Sequence, residues 1–229
     1  MMLAFFSFIL TIMLYVGAKW CYQHKPKVYL SPLLITPLLI IAFLLWTHIS
    51  YDSYNTGAKW LSDMLQPATI AFAVPLYKYF NLLKKHATEI IVSVLSGSVV
   101  AIISSMLIAE GLHLNTQIVN SLIPRSVTTP IAMGVSTSIG GVPTITAVFV
   151  IMTGLLGAVI GPVLIRLLRI ENAIAQGALL GTAAHGAGTS KAFEFSSIAG
   201  TISSLSMIIA ALITLCVTPW LMSIMLVIF

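Results

Sequence analysis

Three short runs of this chain carry residue types suited to binding and moving charged solutes, and each sits inside an apolar stretch. In LIPRSVTTP, Arg125 stands beside Ser126, Thr128 and Thr129, between Pro124 and Pro130. A guanidinium presents a planar fork of donors that matches a carboxylate, and the neighbouring hydroxyls can complete the hydration shell of such an anion. The alternative is an arginine that snorkels to a membrane interface. In GALLGTAAHGAGTSKAF, Gly177, Gly181, Gly186 and Gly188 surround Thr182, His185, Thr189, Ser190 and Lys191. A histidine changes protonation near neutral pH, so His185 either carries a coupling proton or is a neutral ring bonded to a backbone carbonyl. Lys191 either takes part in that coupling or anchors an interface. In QPATIAFAVP, Thr69 is the single hydroxyl between Pro67 and Pro75, so binding there would rest on backbone groups, the alternative being a plain kink.

These residues need a particular setting. Proline removes a helix donor and clashes with the preceding turn, and each glycine costs a helix roughly 1 kcal/mol. Pro67, Pro75, Pro124, Pro130, Gly181, Gly186 and Gly188 are therefore the expected helix breaks. In hydrocarbon, freed backbone groups persist only where protein buries them or a wet cavity meets them. Half-helix N-termini favour anions. Direct substrate contacts are accordingly expected from Arg125, Ser126, Thr128, Thr129, Thr69, Thr182, His185, Thr189 and Ser190.

The remaining sequence is built for lipid. Of 229 residues, 59% are hydrophobic and 7% charged, against about 25% charged in soluble domains. No Asp, Glu, Lys or Arg occurs in 1–18, 28–51, 90–109, 126–165, 172–190 or 195–229. Most of these blocks reach the roughly 20 residues a spanning helix requires. The apolar runs do not alternate, which excludes a membrane β-barrel. The expected fold is an all-α polytopic transmembrane helical bundle forming one membrane domain, 1–229. Its helices are expected at about 3–18, 29–49, 88–110, 143–168 and 200–228, with interrupted segments at 58–80, 115–139 and 177–193. Residues 48–57, HISYDSYNTG, read as a polar loop. The N-terminal apolar run lacks a basic leader and reads as a retained first helix, not a cleaved signal.

Basic residues at 19–27, 78–86 and 166–169 place those loops in the cytoplasm. With three loops fixed, 115–139 must start and end outside, as a re-entrant pair of half-helices. Residues 28–112 and 143–228 then become two repeats of opposite direction, joined by 113–142, at an offset near 115. At that offset Leu65 falls on Leu180 and Ala68 on Ala183, while Ala71 and Ala73 fall on Gly186 and Gly188. Inverted repeats with interrupted helices mark many secondary transporters.

Several classes are excluded. The net charge of +5 is spread as short flanks to apolar runs, which argues against nucleic-acid binding. Cys21 and Cys216 have no CxxC spacing, so no metal or redox site is expected. No P-loop, GxSxG, HExxH or dinucleotide fingerprint occurs, and neither an enzyme nor a cofactor is expected. Gly157 and Gly161 form a GxxxG suited to close helix packing, within the chain or between subunits.

ISYDSYNTGAKWL, LQPATIAFAVPLYK, LIPRSVTTPIAMGVS, GGVPTITAVFVIMTGLLGAVIGP and GTAAHGAGTSKAFE occur in that order, and together they resemble the LrgB/CidB family of bacterial inner-membrane proteins over about 28–228. The resemblance implies one of two activities. One is carriage of small monocarboxylates such as pyruvate or glycolate. The other is holin- or antiholin-like modulation of murein hydrolase export and autolysis, alongside a small LrgA/CidA-type membrane partner. A homo-oligomer in the cytoplasmic membrane is expected in either case. The family pattern has GTASHG where this chain has GTAAHG, so Ala184 lacks a hydroxyl beside His185.

Overall fold

The computed structural model of the chain describes residues 2–25, 30–64, 67, 70, 71 and 73–228. Helix is the only regular structure among them. The chain divides into two compact units at Ala71/Phe72.

The first unit holds α1 (Met2–His24), α2 (Pro32–Thr47) and α3 (Tyr51–Asp63). Residues 48–57, expected as a loop, are corrected here: most of them form the first half of α3. Its start is set by Ser50, whose hydroxyl accepts from the Ser53 amide at 3.3 Å, a cap worth about 1 kcal/mol. The turn-like composition has a packing cause. Tyr54 and Gly57 fall on one buried face of α3, and Gly57 lies directly on the Ala4 carbonyl of α1. Tyr54 Oη and Thr11 Oγ1 lie 2.6 Å apart, and Trp60 packs on Phe8 with ring centroids 5.8 Å apart. α1 also runs six residues past Ala18 and takes Lys19 and Trp20 into the helix. Long lysine side chains reach the interface from inside a helix, so a lysine need not end one.

The second unit begins with α4 (Ala73–Lys78) and α5 (Phe80–Lys85). It continues with α6 (Ala87–Gly111), α7 (Thr116–Leu122), α8 (Thr129–Ser138), α9 (Pro143–Leu167), α10 (Ala173–Phe195) and α11 (Ser197–Ile228). Asn115 caps α7 by accepting from Ile118 N at 2.8 Å. Asn172 caps α10 through Ile174 N, also at 2.8 Å. Pro130 and Pro143 occupy first turns, where a missing N–H has no intrahelical partner to lose. The core joins α6, α8, α9, α10 and α11 through Ile90, Val94, Ala132, Val150, Ala178 and Ile202.

Among the described residues, four helical stretches are long and apolar enough to cross a membrane: Ala4–His24, Ala87–Gly111, Pro143–Leu167 and Ser197–Thr218. With the exposed apolar side chains along them, they make this a multi-pass helical membrane protein.

Two glycine substitutions separate packing from propensity in the first unit. Gly57→Val is expected to cost about 1–3 kcal/mol by forcing α3 off α1. Gly17→Ala, where a Cβ meets open space, should gain a few tenths to 1 kcal/mol from helix propensity. Thermal unfolding of the detergent-solubilised chain reads both; equal Tm values for the two variants would refute the α1–α3 packing.

Candidate functional site

α10 is helical on both sides of His185, whose φ of 39° and ψ of −123° are not. Past this residue the chain folds back on itself. Gly188 lies against the carbonyl of Leu180, whereas a continuous helix would hold residues eight apart about 12 Å away from each other. Register against α11 gives the same result. Before the fold, Gly177 meets Ala199 and Gly181 meets Ser203, so the numbers rise together. After it, Thr189 Oγ1 lies 2.9 Å from Ser203 Oγ and Phe193 covers Gly200, so they run oppositely. α10 is therefore a hairpin of two half-helices.

The first limb of this hairpin descends antiparallel to α9. Leu180 packs on Gly161, Ala184 on Gly157 and His185 on Gly154. The fold thus stands at the midpoint of α9, where His185 Nε2 lies 3.1 Å from the Val150 carbonyl oxygen. The ring is buried and within hydrogen-bond reach of that carbonyl. A hydroxyl at 184 would meet α9 directly, because Ala184 is fully buried and faces Gly157. The GxxxG of Gly157 and Gly161 is thereby occupied within the chain. Gly97 of α6 is also used internally: a Cβ there would stand 3.2 Å from Thr182 Cγ2.

The second hairpin is α7, the turn at 123–128, and α8. Both limbs are clasped to the residues that begin α9. Ser121 Oγ accepts from Val142 N at 2.7 Å and donates to Gln117 O at 2.6 Å. Asn120 Nδ2 donates to Ile139 O at 2.6 Å, and Thr146 Oγ1 donates to Ser136 Oγ at 2.7 Å. This hairpin thus leaves from the N-terminal end of α9, and the α10 hairpin from its C-terminal end.

The turn at 123–128 carries Arg125. The side chain lines a groove of about 440 Å³ together with Phe149, Thr153, Leu156 and Ile160 of α9 and Leu179 of α10. Arg125 is the groove's one charged residue, and no side chain or carbonyl among the described residues accepts from it. Ser126 and Thr128 are buried, and Thr128 Oγ1 has no partner. Thr128 is the N-cap of α8, yet its hydroxyl makes no capping bond. Thr129 opens α8, half-buried.

The structure thus brings the Arg125 turn and the first limb of α10 to one groove. The other expected residues are placed as follows. Thr182 faces α6, Thr189 bonds Ser203, and Ser190 donates to Gly186 O at 3.2 Å. Lys191 Nζ pairs with Glu194 Oε1 at 2.8 Å. Of the expected breaks, Pro124 is buried in the turn and Gly186 is open. Gly181 and Gly188 serve close packing, so the break itself falls on His185. Pro67 lies in the first unit, Pro75 is within α4, and Thr69 lies outside the described residues. Sequence reasoning missed Asn120, Ser121, Ser136 and Thr146, whose signal was a polar side chain every few residues in an apolar stretch. It also missed the apolar groove wall, which no motif marks.

Long apolar helices, with short helices and a broken helix packed beside α9, define a polytopic helical membrane protein. Its particular kinship follows from comparison with known sequences. Residues 11–224 match the LrgB-like family, and the chain belongs to that family. It is similar to the uncharacterized protein YwbG of Bacillus subtilis, with 61% identity over 98% of this chain and 100% of that one. It is 38% identical to the uncharacterized protein YxaC of the same organism, over 92% of each chain. It is 33% identical to the antiholin-like protein LrgB of Bacillus cereus, over 96% of each. No solved structure matches it.

The α7–α8 hairpin makes a topological prediction. In a chain lacking Cys21 and Cys216, single cysteines at the exposed positions Gln117 and Ser138 should react with an impermeant thiol reagent from the same side of the membrane. Labelling from opposite sides would show that 116–138 crosses.

Proposed function

We propose that this LrgB-family member is a secondary carrier of small organic anions, monocarboxylates in particular, in the bacterial cytoplasmic membrane. The observation that carries the reading is Arg125, a half-buried guanidinium with no acid facing it among the described residues. Removing a charge from water without a partner is costly, and an anion that occupies the groove offsets that cost. The arrangement also supports movement. Each hairpin can shift against α9 without breaking a spanning helix, and half-helices at the midplane are the usual architecture of alternating access. Arg125 holds the carboxylate, Thr128 and Ser126 lie beside it in the same turn, and His185 carries the coupling proton from the tip of the opposite hairpin. The scheme also expects 28–112 and 143–228 to be repeats of opposite direction.

A second reading is favoured by the name that several relatives bear, antiholin-like protein LrgB. On it the chain modulates envelope permeability and hydrolase export with a small LrgA/CidA-type partner. The GxxxG face that would serve self-association is taken up against α10, so such assembly would have to use another surface.

Uptake of labelled pyruvate into proteoliposomes separates the two. The carrier reading expects saturable uptake that falls roughly 10- to 100-fold in Arg125→Gln, the loss of one charged hydrogen bond at about 1.5–3 kcal/mol. His185→Ala should uncouple uptake from an imposed pH gradient. Absence of saturable uptake for every small carboxylate, or full uptake by both variants, would sink the carrier reading.

A further inference from the structure

The groove around Arg125 says more about its solute than that it is an anion. Its wall is aliphatic and aromatic: Phe149, Met152, Leu156, Ile160 and Leu164 of α9, closed on one side by Leu179 of α10. Thr153 and Arg125 are the polar side chains in that lining. From Phe149 to Leu164 the wall follows one helix for about 22 Å, at 1.5 Å per residue. The volume of about 440 Å³ lies within the roughly 300–1,000 Å³ of ordinary small-ligand sites, well beyond what a two- or three-carbon acid fills. One cation matches one carboxylate. A second carboxylate, or hydroxyls along the chain, would lie against a wall whose one neutral polar side chain is Thr153.

Building on the carrier reading, we propose that the groove selects monocarboxylates with an apolar alkyl body. It does so over dicarboxylates and over hydroxylated acids of equal length. The carboxylate sits on Arg125 and the alkyl chain lies along α9 toward Leu164. Specificity is then divided: Arg125 sets the charge, and Leu156, Ile160 and Leu164 set the chain length.

Equilibrium dialysis of the purified full chain in detergent tests this with radiolabelled acetate, butanoate, hexanoate, glycolate, pyruvate and succinate. Affinity should rise about fourfold per added methylene from acetate to hexanoate, which corresponds to the ~0.8 kcal/mol of one buried CH₂. Glycolate should bind no better than acetate, and succinate should not bind. Arg125→Gln should abolish saturable binding of the whole series, whereas simple partition into detergent would survive it. Leu164→Thr should flatten the rise toward hexanoate, which keeps the assignment testable if Arg125→Gln does not fold. A flat series with Arg125-dependent binding of pyruvate overturns the proposal and leaves the carrier reading standing. No saturable binding of any acid overturns both. Displacement of hexanoate by phosphatidylglycerol at a few mole per cent of detergent would assign the groove to a lipid and overturn it as well.

Discussion

Between α9 and the first limb of α10, and again between that limb and α11, helix spacing is set by glycine. Gly154, Gly157 and Gly161 receive His185, Ala184 and Leu180. Gly177 and Gly181 receive the backbone of Ala199 and Ser203. Helices in lipid gain nothing from the hydrophobic effect by associating, because the tails they displace are as apolar as their own side chains. What holds them is dispersion at short range, which falls away within an ångström of separation. A hairpin like α10, with two limbs and a non-helical residue at its tip, exposes more polar backbone than a plain span. It is tolerable in hydrocarbon because α9 and α11 lie close enough to exclude lipid from it. The tip, the groove and the position of Arg125 all depend on that approach.

Hydroxyls then distribute themselves according to what the close packing leaves unpaired. Ser121, Ser136, Thr146 and Thr189 each join two segments, and Ser190 bonds back to its own turn. The polar side chains of the Arg125 turn, the guanidinium and the hydroxyls of Ser126 and Thr128, stand apart from this pattern. Along α11, Ser206, Thr214 and Thr218 are buried without partners and fall on one face, at multiples of four residues. A buried polar atom without a partner costs about 1–3 kcal/mol. Among the described residues, the second unit therefore keeps its buried unpaired polar atoms at Asn120 Oδ1 of α7, at the turn beside the groove and along a seam of α11.

Much of this architecture was legible in the sequence, for a simple reason. Charge-free blocks of spanning length can only be helices in lipid, so α6, α9 and α11 were placed within a few residues of their observed ends. The break of 115–139 into two short helices was expected from Pro124 and Pro130, and the disturbance near His185 from its glycines. Two kinds of feature were hidden. α3 was masked because Asn55 and Gly57 look like turn residues, whereas Gly57 is small to admit the backbone of α1. The reversal of α10 was hidden because most of its glycines serve contact rather than flexibility, and the residue that leaves the helix is a histidine. The groove wall carries no signal at all, since leucine and isoleucine toward lipid and toward a solute are spelled alike.

His185 occupies a backbone conformation that glycine adopts freely and that costs a side-chain-bearing residue of order 1–3 kcal/mol. Glycine stands next to it at 186, so the easier residue was within reach of the same turn. A ring held there by the Val150 carbonyl keeps the hairpin tip less stable than it need be. The strain falls where the two limbs of α10 meet, and a stability screen at this position should favour glycine.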